Sequence, residues 1–147
     1  MKSDIKSLAA AGVLTAALAI VIGVADLSGQ RAAQITGDFS NAAVAEIHDA
    51  QGQVLLRGEF APIDNDDKGE VERHAKLGAI AAGLTASGEA EVEYQADTPA
   101  EQEVEVSVTG LAPGTAITFV IDGKQIASGT ADKRGTFEFE QKVKTGR

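Results

Sequence analysis

The stretch Glu103-Val104-Glu105-Val106-Ser107-Val108 decides the fold of this chain. Its polar and apolar residues alternate with period two, as expected of a β-strand with one buried face. A break follows at Gly110-Leu111-Ala112-Pro113-Gly114, because proline lacks a backbone donor and glycine accepts a positive φ. We therefore expect an extended strand here, with its valines facing a core and its glutamates facing water.

The residues after this break predict three more strands. An apolar run over 117–121 meets Asp122-Gly123, a dipeptide suited to a tight hairpin turn, and 125–130 returns beside it. A second turn at 132–135 leads into 136–140, where two phenylalanines share one face. Residues 103 to 143 are thus predicted to form a meander of four antiparallel strands.

Four further strand candidates precede this region, at 43–48, 53–60, 70–77 and 88–94. In 70–77 the basic residue Arg73 falls on the apolar face, so we expect it near an edge where its stem is covered and its head is wet. Short, closely spaced strands without an amphipathic helix predict an all-β fold, an antiparallel sandwich or small barrel of about seven to eight strands.

The inward positions of these strands define a predicted core. It comprises Val54, Leu55, Phe60, Val71, Leu77, Val92, Tyr94, Val104, Val106, Val108, Leu111, Ile117, Phe119, Ile121, Ile126, Phe137 and Phe139.

The stretch Val106-Ser107-Val108-Thr109-Gly110-Leu111, within this strand pattern, resembles the copper–zinc superoxide dismutase type of fold. The chain lacks that family's set of histidines, so the resemblance implies architecture and no activity. We do not count it as membership of the family.

The N-terminus has the layout of a secretory signal. Lys2 and Lys6 precede an uncharged apolar run over 8–25, and Gly23-Val24-Ala25 offers small residues before a cut at Asp26. The run also has the length of a membrane span, and the two lysines would then keep its start in the cytoplasm. Residues 1–29 are thus predicted to be a hydrophobic helix, either a signal peptide or a transmembrane anchor. A buried, alanine-rich helix of a soluble domain is a third interpretation, disfavoured because such a helix normally carries a polar stripe.

Residues 30–41, whose composition is mixed, are predicted to be a tether or a loosely packed first strand, and a β-domain over 42–147 is predicted to follow. We expect an exported protein, periplasmic, cell-surface or extracellular, or one anchored in the inner membrane with the domain outside. Membrane contact is expected only through 8–25, if that run stays uncleaved.

Composition narrows the classes of partner. The chain carries a formal net charge of −9, which repels phosphate backbones and argues against nucleic-acid binding. Five phenylalanines, one tyrosine and no tryptophan leave few platforms for stacking bases or sugars. The absence of cysteine removes thiolate chemistry and cysteine metal sites.

One loop has a suggestive acidic pattern, over 64–70. Asp64, Asp66, Asp67 and Glu70 are weak candidate ligands for calcium. Lys68 occupies a ligand position, and the bidentate acid that a calcium loop needs six residues after its glycine falls on Ala75. A solvated hairpin loop is the favoured interpretation. We therefore expect no cofactor, and calcium bound at this loop is the alternative.

The two histidines, His48 and His74, lie on different predicted strands with nothing at ligand spacing around them in the sequence. We expect surface or turn positions for both. A bridged pair would require neighbouring strands with both rings on one face.

Glutamates recur at alternate positions along several strands. If 88–95 pairs with 102–109, two glutamate rows face each other. The candidates to relieve this repulsion are external divalent ions and the basic residues Arg57, Lys76, Lys142 and Lys144. A solvated acidic face that keeps the protein soluble is the simpler interpretation. A docking surface for a basic partner, or a cation-bridged assembly, is the alternative.

Catalytic motifs are missing from the sequence, which has no nucleophile elbow, zinc-protease motif or phosphate loop. We therefore expect no enzyme activity. The expected function is a non-catalytic structural or protein-interaction module, whose partner is a protein or a cell-envelope component. The alternative is a module that responds to divalent cations through the 64–70 loop and the strand glutamates.

Overall fold

The computed structural model describes residues 31–32, 35, 37–62, 64–65, 70–95 and 100–145. Ten strands lie in these residues: β1 Arg31–Ala32, β2 Val44–Asp49, β3 Val54–Glu59, β4 Asp64–Asn65, β5 Glu70–Ala79, β6 Ser87–Gln95, β7 Ala100–Thr109, β8 Ala116–Ile121, β9 Lys124–Thr130 and β10 Phe137–Thr145.

All strand pairs are antiparallel, which confirms the predicted all-β fold. The strands follow the order β1-β9-β8-β2-β3-β5-β6-β7-β10 in one sheet that curls into a nearly closed barrel, with β4 added beside β5. Eight of these strands are longer than two residues. The predicted N-terminal helix lies outside the described residues, and no described helix is long and apolar enough to cross a membrane.

The predicted meander is wrong beyond its central hairpin. β8 and β9 pair as expected, but β8 has β2 as its other neighbour, and β10 pairs with β7. The connections 110–115 and 131–136 instead hydrogen-bond to each other, with Leu111 N–H donating to Gly135 O and Ala131 N–H donating to Thr115 O. Alternation predicts a strand and its buried face, but it does not specify the neighbouring strand.

The hairpin between β8 and β9 has the predicted turn chemistry. Asp122 and Gly123 both have positive φ, of 48° and 78°, which matches the right-handed twist of the flanking strands. The carboxylate of Asp122 also accepts hydrogen bonds from the N–H groups of Ala43 and Val44. One aspartate therefore closes the hairpin and fixes the start of β2.

Most of the predicted core is buried, but four of its members are only half-buried: Val54, Leu55, Val71 and Tyr94. In β3 the residue that faces the core is Leu56. The pairing of β2 with β3 shifts at Leu55, which makes a bulge opposite Ile47 and His48. Because Val54, Leu55 and Leu56 are all apolar, the sequence does not specify which of them faces the core. The bulge determines that Leu56 does.

Residues from the predicted tether over 30–41 also pack into the domain. Ile35 and Phe39 are buried in the core. The buried side chain of Gln102 accepts a hydrogen bond from Phe39 N–H at 3.2 Å and donates one to Gly37 O at 2.6 Å. This part of the chain therefore packs against the core, and the mixed composition of 30–41 does not predict that order.

Arg73 lies as predicted, at the edge of the core. Its Nε and Nη2 atoms donate hydrogen bonds to Ala61 O, and its guanidinium lies 6.0 Å from the centroid of the Phe60 ring. The stem is covered while the charge is satisfied by a carbonyl.

Candidate acidic binding face

The outward positions of β5, β6, β7 and β10 form one continuous surface, which we call the acidic face. Pairing across these four strands has no register shift, so each outward position meets its counterpart on the next strand. Four cross-strand rows result: Glu70, Gln95, Glu101, Lys144; Glu72, Glu93, Glu103, Lys142; His74, Glu91, Glu105, Glu140; and Lys76, Glu89, Ser107, Glu138.

This register confirms that the glutamates of β6 and β7 face each other. Glu91 is opposite Glu105, and Glu93 is opposite Glu103. The rows contain ten glutamates and three lysines, a formal charge of −7 at the register positions with histidine neutral. Most of the net charge of −9 on the chain is therefore concentrated on one surface.

Lysine relieves this charge unevenly. Lys142 Nζ lies 3.2 Å from Glu103 Oε2, and this hydrogen bond and charge raise the pKa of the lysine. Lys144 is in register with Glu101 and Lys76 with Glu89. Arg57, another predicted counter-charge, pairs instead with Glu46 on β2, at 3.4 Å.

The row His74, Glu91, Glu105, Glu140, which we call the 105 row, has three consecutive glutamates and no lysine. Partial burial raises the pKa of Glu105, and the charges of Glu140 and Glu103 raise it further. Burial also raises the pKa of Glu91, against an opposing effect of His74. In both cases the ionised carboxylate is disfavoured by its surroundings.

Beside Glu103, the carboxyl of Glu93 behaves in the same way, although a lysine lies nearby. Burial raises its pKa, with Glu103 as the next cause, and Lys142 lowers it slightly. No described basic side chain lies within ion-pair distance of Glu93 or Glu105. The acidic face therefore presents carboxylates whose charge remains uncompensated.

A hollow of about 500 Å³ lies over the 105 row and over the neighbouring row that contains Glu89, Ser107 and Glu138. It is lined by His74, Glu89, Ala90, Glu91, Glu105, Val106, Ser107, Glu138, Phe139 and Glu140. Five glutamates border this hollow, so a bound group of positive charge would be surrounded by acceptors.

Both histidines lie on strands, each beside the glutamate two residues earlier. His48 Nε2 is 2.9 Å from Glu46 Oε2, and His74 Nε2 is 2.5 Å from Glu72 Oε1. His74 has a second carboxylate, because its Nδ1 is 3.5 Å from Glu91 Oε2 on β6. Glu72 and Glu91 therefore lie at ligand spacing around His74, although the sequence alone shows no such neighbours.

The two histidines do not meet, because β3 lies between β2 and β5. Glu91 is seventeen residues from His74 in the chain and reaches it only through the β5–β6 register. Two signals in the sequence could have found this group: the Glu-x-His spacing on one strand, and a predicted hairpin that aligns His74 with Glu91.

The predicted calcium loop is largely outside the described residues, including Asp66 and Asp67. Asp64 lies in the short strand β4, where its backbone pairs with that of Glu72 in β5. The side chain of Asp64 lies outside the described part of the chain. Glu70 accepts a hydrogen bond from Gln95 Nε2 at 3.4 Å. The calcium hypothesis for this loop remains a prediction.

Comparisons of the chain with protein-family models, with curated proteins and with solved structures found no match. Closely spaced carboxylates in a shallow hollow can accept ammonium and guanidinium groups, or contribute ligands to a cation.

Proposed function

We propose that this chain is a non-catalytic interaction module, exported or membrane-tethered, that uses its acidic face to bind a basic protein segment. The single observation that carries the proposal is the 105 row. Its three glutamates stand side by side, and the pKa values of Glu91 and Glu105 are raised. Binding a cationic group would relieve repulsion that the domain alone leaves in place.

The spacing of the glutamates indicates the shape of the partner. Along β6, Glu89, Glu91 and Glu93 recur at every second residue, which is about 6.6 Å in a strand. An extended segment with lysine or arginine at alternate positions has the same repeat. The partner expected is therefore an extended basic segment that lies along β6 and β7 over the hollow.

A fluorescent peptide with lysine at alternate positions tests this proposal. We expect the full chain to bind it, with an affinity that falls steeply as salt is raised, because exposed charges are screened. The same peptide with glutamate in place of lysine should not bind. Equal binding of both peptides, or no binding of either at low salt, would refute the proposal.

Two variants locate the binding surface. Glu105→Gln combined with Glu140→Gln removes two charges of the 105 row and should weaken binding of the lysine peptide about tenfold, equivalent to about 1.4 kcal/mol. Glu59→Gln changes an exposed glutamate on β3, away from the acidic face, and should change binding little. The double variant removes two charges and Glu59→Gln removes one, so an equal loss of binding per charge removed would indicate attraction to net charge alone.

A further inference from the structure

The group Glu72, His74 and Glu91 differs from the rest of the acidic face because it includes a nitrogen ligand. One ligand atom from each residue lies within 4.8 Å of the other two. Glu72 and His74 are two positions apart on β5 and share its outward face, while Glu91 is opposite His74 on β6. The pairing of two strands, and not one acidic run, brings the three together.

We infer that Glu72, His74 and Glu91 form a binding site for a divalent transition-metal ion of the zinc class. Imidazole with carboxylate suits zinc, copper or nickel, whereas calcium and magnesium take oxygen ligands throughout. The inference goes beyond the proposed docking function and does not depend on it. It concerns one end of the acidic face, where the ligand set has both nitrogen and oxygen.

The geometry requires only side-chain movement. Zinc bonds to nitrogen and oxygen are about 2.0 to 2.2 Å, so ligand atoms around one ion lie within about 4.4 Å of each other. The imidazole offers one nitrogen, so one glutamate must rotate toward the nitrogen that the other already contacts. The His74 and Glu72 side chains are 58% and 48% exposed, and that of Glu91 is 31% exposed, which leaves room for this rotation.

The coordination position that the three protein ligands leave open would face the hollow beside the site. His74 and Glu91 both line it. Three protein ligands leave at least one position of a four-coordinate ion for water or for a group from a partner. A bound ion would therefore stay accessible from the hollow.

The chain contains an internal comparison at Glu46 and His48. The Glu-x-His spacing is the same, and His48 Nε2 lies 2.9 Å from Glu46 Oε2. There the third group is Arg57, whose Nη1 lies 3.4 Å from Glu46 Oε1. A metal ion at that position would meet a guanidinium in place of a second carboxylate, so we expect no metal binding there.

Calorimetric titration of the chelator-treated full chain with zinc chloride tests the inference. We expect saturable binding of one ion and a rise in Tm with zinc, because a ligand that binds the folded state stabilises it. His74→Gln should weaken zinc binding about tenfold or more, while the matched His48→Gln leaves it unchanged. The His74 side chain is 58% exposed and the His48 side chain is 23% exposed, and circular dichroism checks that both variants fold.

Three results with zinc alone would overturn the inference: no zinc binding to the folded chain, zinc binding that survives His74→Gln, or an equal loss in His48→Gln. Calcium serves as the comparator, and calcium competing with zinc at equal concentration would indicate an oxygen-only site elsewhere and would also overturn it.

Failure of this site and failure of the docking proposal can be told apart. His74→Gln should weaken zinc binding about tenfold or more and leave binding of the lysine peptide unchanged. The double variant Glu105→Gln with Glu140→Gln should weaken binding of the lysine peptide and leave zinc binding unchanged.

Discussion

Glu91 of β6 lies directly opposite Glu105 of β7. Their neighbours Ala90, Val92, Val104 and Val106 are buried in the barrel. The two glutamates therefore occupy directly opposed positions on the outward side of the sheet. The same alternation that builds the core brings the like charges together, so the acidic face is a direct consequence of the sequence pattern.

Removing one of these charges should stabilise the domain. Glu105→Gln relieves opposition to both Glu91 and Glu140, and each pair relieved is worth about 0.2 to 1 kcal/mol, toward the lower end because solvent screens these exposed groups. Urea unfolding of the metal-free protein should give a higher free energy of unfolding. The control, Glu59→Gln, has a valine, Val44, as its counterpart and should leave stability unchanged. A loss of stability in Glu105→Gln would contradict the repulsion.

Stability should rise as the pH is lowered from neutral toward 4.5, the ordinary pKa of a glutamate. The pKa values of Glu91, Glu93 and Glu105 are raised in the folded state, so the folded domain takes up protons that the unfolded chain does not. Their contribution is fully present below the unfolded pKa and is lost as the pH rises through the folded one.

Asp132 has the opposite effect on stability, which it lowers at acid pH. Backbone hydrogen bonds from Thr136 and Arg134 lower its pKa below the ordinary 3.8, so its contribution is present above that value and is lost as the pH falls through its folded pKa. Thermal unfolding across pH should therefore give a maximum Tm in mildly acidic buffer. A Tm that falls steadily from neutral pH downward would contradict this prediction.

Two glutamines should respond differently to the same substitution. Gln102→Leu removes the acceptor of the Phe39 N–H group and the donor to Gly37 O. This variant should lower the free energy of unfolding by about 1 to 3 kcal/mol and speed hydrogen exchange at Phe39. Gln141→Leu replaces a side chain whose buried Oε1 has no partner among the described residues, so it should be neutral or stabilising. Equal losses in both variants would indicate that side-chain shape, and not hydrogen bonding, matters at these positions.

Reversing one inward position of β7 tests the core directly. Val106 is buried, so Val106→Asp places an unpaired charge in the barrel and should destabilise by several kcal/mol, on the order of 3 to 5. Thr109→Asp adds the same charge at an exposed position of the same strand and should cost little. A Tm for Val106→Asp within a few degrees of wild type would contradict the assigned face of β7.

Much of this fold could be predicted from alternation and turn residues. Val104, Val106 and Val108 face inward as expected, and the glutamates of β6 and β7 oppose each other as the proposed pairing required. Strand order could not be predicted, because the residues that pair between β7 and β10 lie 29 to 45 positions apart in the chain, from Val108 with Phe137 to Ala100 with Thr145. Period-two patterning is a local signal and does not specify which distant strand completes a pair.

The candidate site was predicted only in part, for the same reason. Opposed glutamates follow from two adjacent strands, but the absence of a lysine in the 105 row depends on the register of four. The grouping of His74 with Glu72 and Glu91 likewise requires the β5–β6 register. Phe39 gave no periodic signal, and it is held in place by Gln102, a polar residue at an inward position.

The most direct test of the acidic face is the titration of individual glutamate carboxyls by NMR in the chelator-treated protein. We predict that Glu105 and Glu93 titrate above the ordinary value of 4.5, and that the pKa of Glu105 falls when the lysine peptide is bound. Carboxyls that titrate at or below 4.5 in the free protein, and do not respond to the peptide, would contradict the claim that this face carries uncompensated charge for a basic partner.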